Sequence, residues 1–243
     1  MNLQEFSALC EKHFAQNALP RPTMEQTEKL FDLTERMLEV NKSMNLTAIK
    51  EEEAVIVKHY VDSLLIAKSI PTGAAVMDVG CGAGFPTLPL AIFRSDLRIT
   101  ALDSTAKRIH YVQETAKMLG LENVTAIAER AEVLAHDKQY REKFDVVTAR
   151  AVASLPVLTE LCLPFARKDG LFVAMKAKQA DEELASAAGA IRLCGGALEQ
   201  TERTELRLNG AESEPRVLFV VKKISATPQN YPRHFSKISK KPL

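Results

Sequence analysis

Residues 76–86 read Val-Met-Asp-Val-Gly-Cys-Gly-Ala-Gly-Phe-Pro. An apolar run carries one acid, Asp78. Glycines follow at alternate positions, Gly80, Gly82 and Gly84, then Phe85 and Pro86. Three residues without side chains let a ligand come close to the backbone, and Pro86 suits the first turn of a helix, where its missing N–H costs nothing. A second apolar run, Leu97-Arg98-Ile99-Thr100-Ala101-Leu102, ends in another acid, Asp103, followed by Ser104. Strand, bare loop, helix start and a downstream acid make a cradle for a nucleoside or nucleotide.

The spacing narrows the ligand. A dinucleotide fingerprint, Gly-x-Gly-x-x-Gly counted from Gly80, would need glycine where Phe85 stands. A P-loop would need Gly-Lys-Ser/Thr to hold a terminal phosphate, and none is present. What remains is a ligand with an adenosine end and an amino-acid end, S-adenosyl-L-methionine. Asp103 would then accept hydrogen bonds from the ribose hydroxyls. No metal is expected: Cys10, Cys81, Cys162 and Cys194 include no Cys-x-x-Cys pair and have no histidine cluster beside them.

The elements that must position this loop are legible as patterns. Strand-like runs at 75–79, 98–102, 124–127, 144–148 and 170–175 alternate with helix-like runs at 86–93, 105–119, 155–165 and 180–190, which predicts a parallel sheet with helices on both faces. Residues 197–207 and 216–223 predict an antiparallel edge pair joined by Leu208-Asn209-Gly210. Residues 1–70 predict helices. Thr23 and Gln26 form a capping box, and Leu30, Leu33, Met37 and Val40 recur at helical spacing, as do Val57, Val61 and Leu64. Residues 41–47 read as a polar connector, and Glu51-Glu52-Glu53 as a solvated first turn. The division is 1–70 helical extension, 71–225 ligand-binding domain and 226–243 basic tail, in one compact unit. The tail from Lys222 carries Arg233, Lys237, Lys240 and Lys241 and no acid, while the whole chain has a net charge of +1. An anionic partner must therefore be met by local patches rather than by a polycation. No apolar stretch approaches the ~18 residues of a membrane span and no leader is recognisable, so a cytoplasmic protein is expected.

Several methyl-transfer chemistries lack their parts. The segment Asp145–Ala153 holds no Asn/Asp-Pro-Pro-Tyr/Phe motif for exocyclic amines. Cys162, in an apolar helix-like run, is a poor carbon-methylating nucleophile, and no basic side chain stands ready for a hydroxyl. A ring nitrogen such as guanine N7 needs none of these, only alignment at ~3–3.5 Å. Arg150 stands at the carboxyl end of the fourth strand, where ligands of open α/β sheets bind, and is the candidate for a catalytic role.

The chain resembles the glucose-inhibited division protein B family over nearly its whole length. The resemblance is carried by Asn45-Leu46-Thr47, His59-x-x-Asp62-Ser63-Leu64, Asp78 through Pro86 with Pro89-Leu90-Ala91-Ile92, Leu102-Asp103-Ser104-x-x-Lys107-Arg108, Arg130-Ala131-Glu132 and Ala149-Arg150-Ala151. The ending, Tyr231-Pro232-Arg233 with Lys240-Lys241-Pro242-Leu243, belongs to the same set. It implies a Rossmann-like class I S-adenosylmethionine-dependent methyltransferase, with a mostly parallel seven-stranded sheet and an N-terminal helical extension. The implied activity is on guanine N7 of small-subunit (16S) ribosomal RNA, with the assembled 30S subunit as partner, no membrane, and a monomeric enzyme. The implied cofactor contacts are Gly80, Phe85, Ala131, Glu132 and Arg150 beside Asp103. Together with Asp78, Gly82, Gly84 and Ser104 they form the expected cofactor site. Expected RNA contacts are Lys176, Arg233, Lys237, Lys240 and Lys241. His59 and Asp62, three apart on one helix face, are expected to cap or pack. Thr87 stands where the family commonly has glycine. Two other readings stay open: a non-catalytic ribosome-binding or assembly factor with a vestigial pocket, and a small-molecule methyltransferase.

Overall fold

The computed structural model describes residues 1–150, 153–177, 180–210 and 212–243. Helix α1 (Leu3–Gln16) starts at an Asn2/Glu5 capping box and α2 (Met24–Met44) at the expected Thr23/Gln26 box. Helix α2 runs through residues 41–44, which the polar composition had assigned to a connector, and ends at Asn45 with φ +50°. The reason is local. The Asn41 amide reaches forward from the last turn and takes both the N–H and the C=O of Thr47, each at 2.9 Å, so a polar residue shapes the exit from inside the helix.

Helix α3 (Glu52–Val55), a π-helical turn (Ile56–Val61) and α4 (Asp62–Leu64) follow one another without a break. The acids that open α3 are not merely solvated. Glu52 pairs with the amino terminus at 2.8 Å, and Glu53 meets His13 Nε2 at 2.8 Å and Lys12 at 3.1 Å. These pairs bind the start of α3 to α1.

Alternation then begins: β1 (Ala75–Val79), α5 (Thr87–Phe93), β2 (Arg98–Asp103), α6 (Ala106–Met118), β3 (Val124–Ala128), α7 (Ala131–Leu134), β4 (Phe144–Arg150), α8 (Leu155–Cys162), β5 (Ala166–Lys176), α9 (Ala180–Leu193), β6 (Gly196–Arg207), β7 (Ser213–Lys223) and α10 (Phe235–Lys240). The seven strands lie in the order β3-β2-β1-β4-β5-β7-β6. Strands β1 to β5 are parallel, and the β6–β7 hairpin adds two antiparallel strands at one edge. The chain leaves β1 toward β2 and β3, then returns to β4 on the other side. The β1/β4 gap is thus the topological switch point, where open α/β sheets bind ligands.

Side chains alternate across the sheet, so successive residues of one strand feed opposite cores. Val76 and Ile99 join Phe6, Phe14, Leu33, Tyr60 and Val112, which come from the N-terminal helices and α6. Met77 and Val147 join Leu158, Phe172, Ile191 and Phe219 on the other face. The N-terminal extension is thereby part of the first core: Phe14 stacks on Phe93 of α5 at 5.3 Å, and Tyr60 Oη lies 2.6 Å from Thr34 Oγ1. The tail is docked as well. Arg141 donates to the carbonyls of Thr227, Pro228 and Tyr231, and Ile238 is fully buried in the second core.

Candidate active site

The glycine loop is tied to the end of β2. Gly80 and Cys81 N–H both donate to the Leu102 carbonyl, at 2.7 and 3.0 Å. Gly82 N–H donates to Asp103 Oδ2 at 3.1 Å, and Thr105 N–H to Asp103 Oδ1 at 2.8 Å. Asp103 is thus held at the lip of the loop with lone pairs to spare for a ligand's hydroxyls. All three glycines have positive φ. Gly80 and Gly82 line the cavity above. Gly84 has another job: a Cβ there would stand 2.6 Å from Leu88 Cδ1 and 3.4 Å from Val112, so its bareness serves helix packing.

Asp78 lies below the loop, 1% exposed. Its Oδ2 accepts from Thr87 Oγ1 at 2.6 Å, so the threonine in place of the family's glycine is a ligand of the acid. Its Oδ1 is buried without a partner, as is Oγ1 of Thr148, its register neighbour on β4. Burial pushes the Asp78 carboxyl up to about 6, against the lowering effect of Thr87. An orphaned acceptor of this kind, at the switch point, fits a ligand that brings a cationic N–H. The ammonium of an amino-acid moiety is such a group. Asp103, Asp78 and the bare loop together therefore fit an adenosine joined to an amino acid.

A cavity of about 720 Å³ opens over Gly80, Gly82, Ala83 and Phe85. Its far wall comes from the helical extension: Leu46, Ile49, Lys58, His59 and Asp62. Phe85 is covered by His59, which lies parallel on its ring at 4.3 Å, with the Arg150 guanidinium beside the histidine, 5.4 Å from the Phe85 centroid. Arg150 donates to Asp62 Oδ2 (3.0 Å) and to the Lys58 carbonyl (3.2 Å), and faces His59 Nδ1 at 3.4 Å. His59 Nε2 meets Thr47 Oγ1 at 2.9 Å. Burial and the Arg150 charge push the His59 imidazole down to about 3, so it is neutral in use. With Arg150 facing Nδ1, the ring proton sits on Nε2 and is donated to Thr47.

The expected residues separate into groups. Gly80, Gly82, Phe85 and Arg150 come together at the cavity, with Asp78 beneath and Asp103 at its lip. Ala131 and the buried Glu132 follow a segment joined to Asp103, where Glu129 N–H donates to the Asp103 carbonyl at 3.2 Å; the Glu132 carboxylate is held by Arg130 Nε. Ser104 is exposed nearby. Ala151, of the expected Ala149-Arg150-Ala151 motif, lies outside the described residues. His59 and Asp62 pack, as expected, and also form the cavity wall. Thr47, Lys58 and Arg216 were missed as site residues. Thr47 lay inside the Asn45-Leu46-Thr47 motif and Lys58 directly before His59, whereas Arg216 on β7 carried no sequence signal.

Two expected RNA contacts are otherwise engaged. The Arg233 backbone N–H and Nε donate to Oε1 of the fully buried Glu160 (2.8 Å each), and its Nη2 donates to Oε2 (2.7 Å). Arg233 is an anchor of the tail, because a buried carboxylate requires a partner. Lys176 points into the cavity and is held by the Ala153 carbonyl (2.8 Å) and Glu183 (2.7 Å). Lys237, Lys240 and Lys241 remain exposed on and after α10. Among the described residues no cluster could hold a metal ion, and no helix is long and apolar enough to cross a membrane.

Comparison with known proteins agrees with this fold. Coclaurine N-methyltransferase, solved with N-methylheliamine and SAH, superposes with a TM-score of 0.54 at 14% identity, covering 91% of this chain and 95% of the other. M. jannaschii TYW2, solved with AdoMet, gives 0.50 at 19%, covering 67% and 77%. At such identities the likeness is one of fold. Ribosomal RNA small subunit methyltransferase G of Desulforamulus reducens is 43% identical over 229 residues, 89% of this chain and 94% of the relative. The protein of that name from Bacillus subtilis is 42% identical over 246 residues, 100% and 99% of the two chains. The family model described as GidB, rRNA small subunit methyltransferase G, matches residues 26–208, and the chain belongs to that family.

Proposed function

We propose that this protein transfers the methyl group of S-adenosyl-L-methionine to N7 of one guanine in 16S ribosomal RNA, acting in the cytoplasm on the small subunit. The methyl donor supplies, when bound, an activated methyl group on a sulfonium. Asp103 would accept its ribose hydroxyls and Asp78 Oδ1 its ammonium. Gly80 and Gly82 keep side chains out of its way, and Phe85, with His59 stacked on it and Arg150 beside them, lines the floor.

The observation that favours N7 is the absence of a free base among the described residues lining the cavity. His59 is neutral with a strongly depressed basicity and both ring nitrogens engaged. Asp62 is shared by Arg150 and Arg216, and Glu183 is held by Lys176 and the Leu155 N–H. An amine or hydroxyl acceptor would have to lose a proton to such a base. Guanine N7 has an available lone pair at neutral pH and needs only alignment. In an RNA helix N7 lies within a deep, narrow groove, so the target must be presented by a loop or unstacked, at a cost of a few kcal/mol.

The test is transfer of tritium from labelled S-adenosylmethionine to small subunits from cells lacking the enzyme. The label is expected on one guanine, with chain cleavage there by borohydride and aniline. Absence of transfer to any ribosomal particle, or label on an exocyclic amine, overturns the proposal.

A further inference from the structure

Among the described residues, the cavity lining carries Lys58, Arg108, Arg150, Lys176 and Arg216, each with a carboxylate partner: Glu214, Asp103, Asp62, Glu183, and Asp62 with Glu214. A nucleic-acid acceptor brings an anion to this cavity, and the cation that meets it must have donors to spare. The cations are unevenly placed. The cofactor cradle belongs to β1 and β2, whereas Lys176 ends β5 and Arg216 lies on β7. In the order β1-β4-β5-β7 these strands are the second and third from β1, roughly 10 and 14 Å away at the usual inter-strand spacing. Lys58, bonded to Glu214 next to β7, stands with Lys176 and Arg216 in the half of the cavity beyond the cradle, on the acceptor side.

Within that half the described cations differ in how far they are engaged. Arg216 has a bond from each of its three nitrogens, to Asp62 Oδ1 (2.6 Å), the Pro215 carbonyl (3.0 Å) and Glu214 Oε2 (2.9 Å), and Lys176 has two, to the Ala153 carbonyl and Glu183. Lys58 donates once, to Glu214 Oε1 at 2.8 Å, and its side chain is 36% exposed. An ammonium has three donors. Lys58 rides on the π-helical turn, a feature concentrated at functional sites, which brings Lys58, His59 and then Asp62 to the cavity wall. Glu214 fixes the ammonium, and Arg216 fixes Glu214.

We propose that Lys58 binds a backbone phosphate of the methyl-accepting nucleotide, with Glu214 and Arg216 orienting it, so that base and phosphate enter the cavity together. This rests on the reading of the acceptor as ribosomal RNA. A phosphate oxygen is the anion an RNA brings, and a charge-assisted N–H···O bond to it orients the nucleotide before its base meets the methyl group.

The experiment is a double-modification cycle. Small subunits are reconstituted with 16S RNA joined by splinted ligation, carrying a neutral methylphosphonate 5′ or 3′ of the mapped target guanosine. With natural subunits, Lys58→Met is expected to raise KM about tenfold while the dissociation constant for S-adenosylhomocysteine stays unchanged. Lys58→Arg is expected to recover most of the loss. At one of the two positions the neutral linkage should cost wild type the same factor and cost Lys58→Met nothing further. Additive losses at both positions overturn the proposal. Weakened S-adenosylhomocysteine binding by Lys58→Met also overturns it, since it assigns the lysine to the cofactor's carboxylate. Absence of methyl transfer by wild type to natural subunits overturns the rRNA reading itself, which separates the two failures.

Discussion

The imidazole of His59 lies flat on the ring of Phe85, with centroids 4.3 Å apart and planes within 3°. One ring comes from the π-helical turn of the N-terminal extension, the other from the glycine loop. The contact continues in both directions, through Thr47 and Asn41 into α2, and through Arg150 to the end of β4. The extension therefore completes the cavity. Replacing His59 by Leu keeps volume but removes the stack and both ring nitrogens. Single-turnover methyl transfer at saturating cofactor is expected to slow about tenfold or more, because small misplacements near the chemistry are costly. An unchanged rate would show that the stack is packing alone.

The same histidine makes a statement about acid stability. Its basicity is depressed in the fold, to about 3 from an ordinary 6.5, by burial first and by Arg150 second. The neutral buried ring stabilises the fold fully above pH 6.5. That contribution is lost as pH falls from 6.5 toward 3, where the unfolded chain takes up the proton and the fold does not. The melting temperature of the wild type is expected to fall across that window, and with a shallower slope in His59→Leu. Equal slopes in a thermal scan series would contradict this.

Asp78 has the opposite sign. Its carboxyl is raised in the fold, so its stabilising effect is present below pH 3.8 and lost as pH rises through about 6. The ionised form at neutral pH costs the free protein about 3 kcal/mol, on the order of 1.36 kcal/mol per unit. Asp78→Asn is therefore expected to stabilise the free protein at pH 8, with an advantage that shrinks between pH 6 and 4. Cofactor affinity should behave conversely, falling about tenfold per pH unit below 6 if the ammonium requires the carboxylate. Thr87→Val removes a hydrogen bond that lowers the Asp78 value and should move that fall to higher pH. Calorimetric titration across pH 5–8 reads both effects.

The tail predicts a separation of roles. Arg233→Ala strands the fully buried Glu160 carboxylate and is expected to cost about 3–5 kcal/mol of stability. Replacing Lys237, Lys240 and Lys241 together by Gln should leave the melting temperature within a few degrees while raising KM for the small subunit. A stable Arg233→Ala protein with weakened RNA binding would return that arginine to the RNA surface.

Much of this was legible in the sequence because it depends on short-range pattern. The period of the apolar runs specifies strand or helix, and glycines at alternate positions with acids at two strand ends specify a bare loop beside a ribose acceptor. The Thr23/Gln26 cap and the antiparallel final pair needed only neighbours a few residues away. What the pattern misplaced were groups whose partners lie far along the chain. The residues 41–44 read as connector because they are polar, yet they are helical because Asn41 serves Thr47. Arg233 read as a free basic residue because Glu160, its partner, is 73 positions away. For Gly84 the pattern could not show that its missing side chain also makes room for Leu88. The sequence by itself thus determined the cradle, the sheet and the class of ligand, which follow from local backbone chemistry. Only the tertiary structure decided that the helical extension walls the cavity, that Asp78 faces an unfilled bond, and that Lys58 keeps spare donors beside Arg216, because burial and pairing arise from contacts that no spacing along the chain encodes.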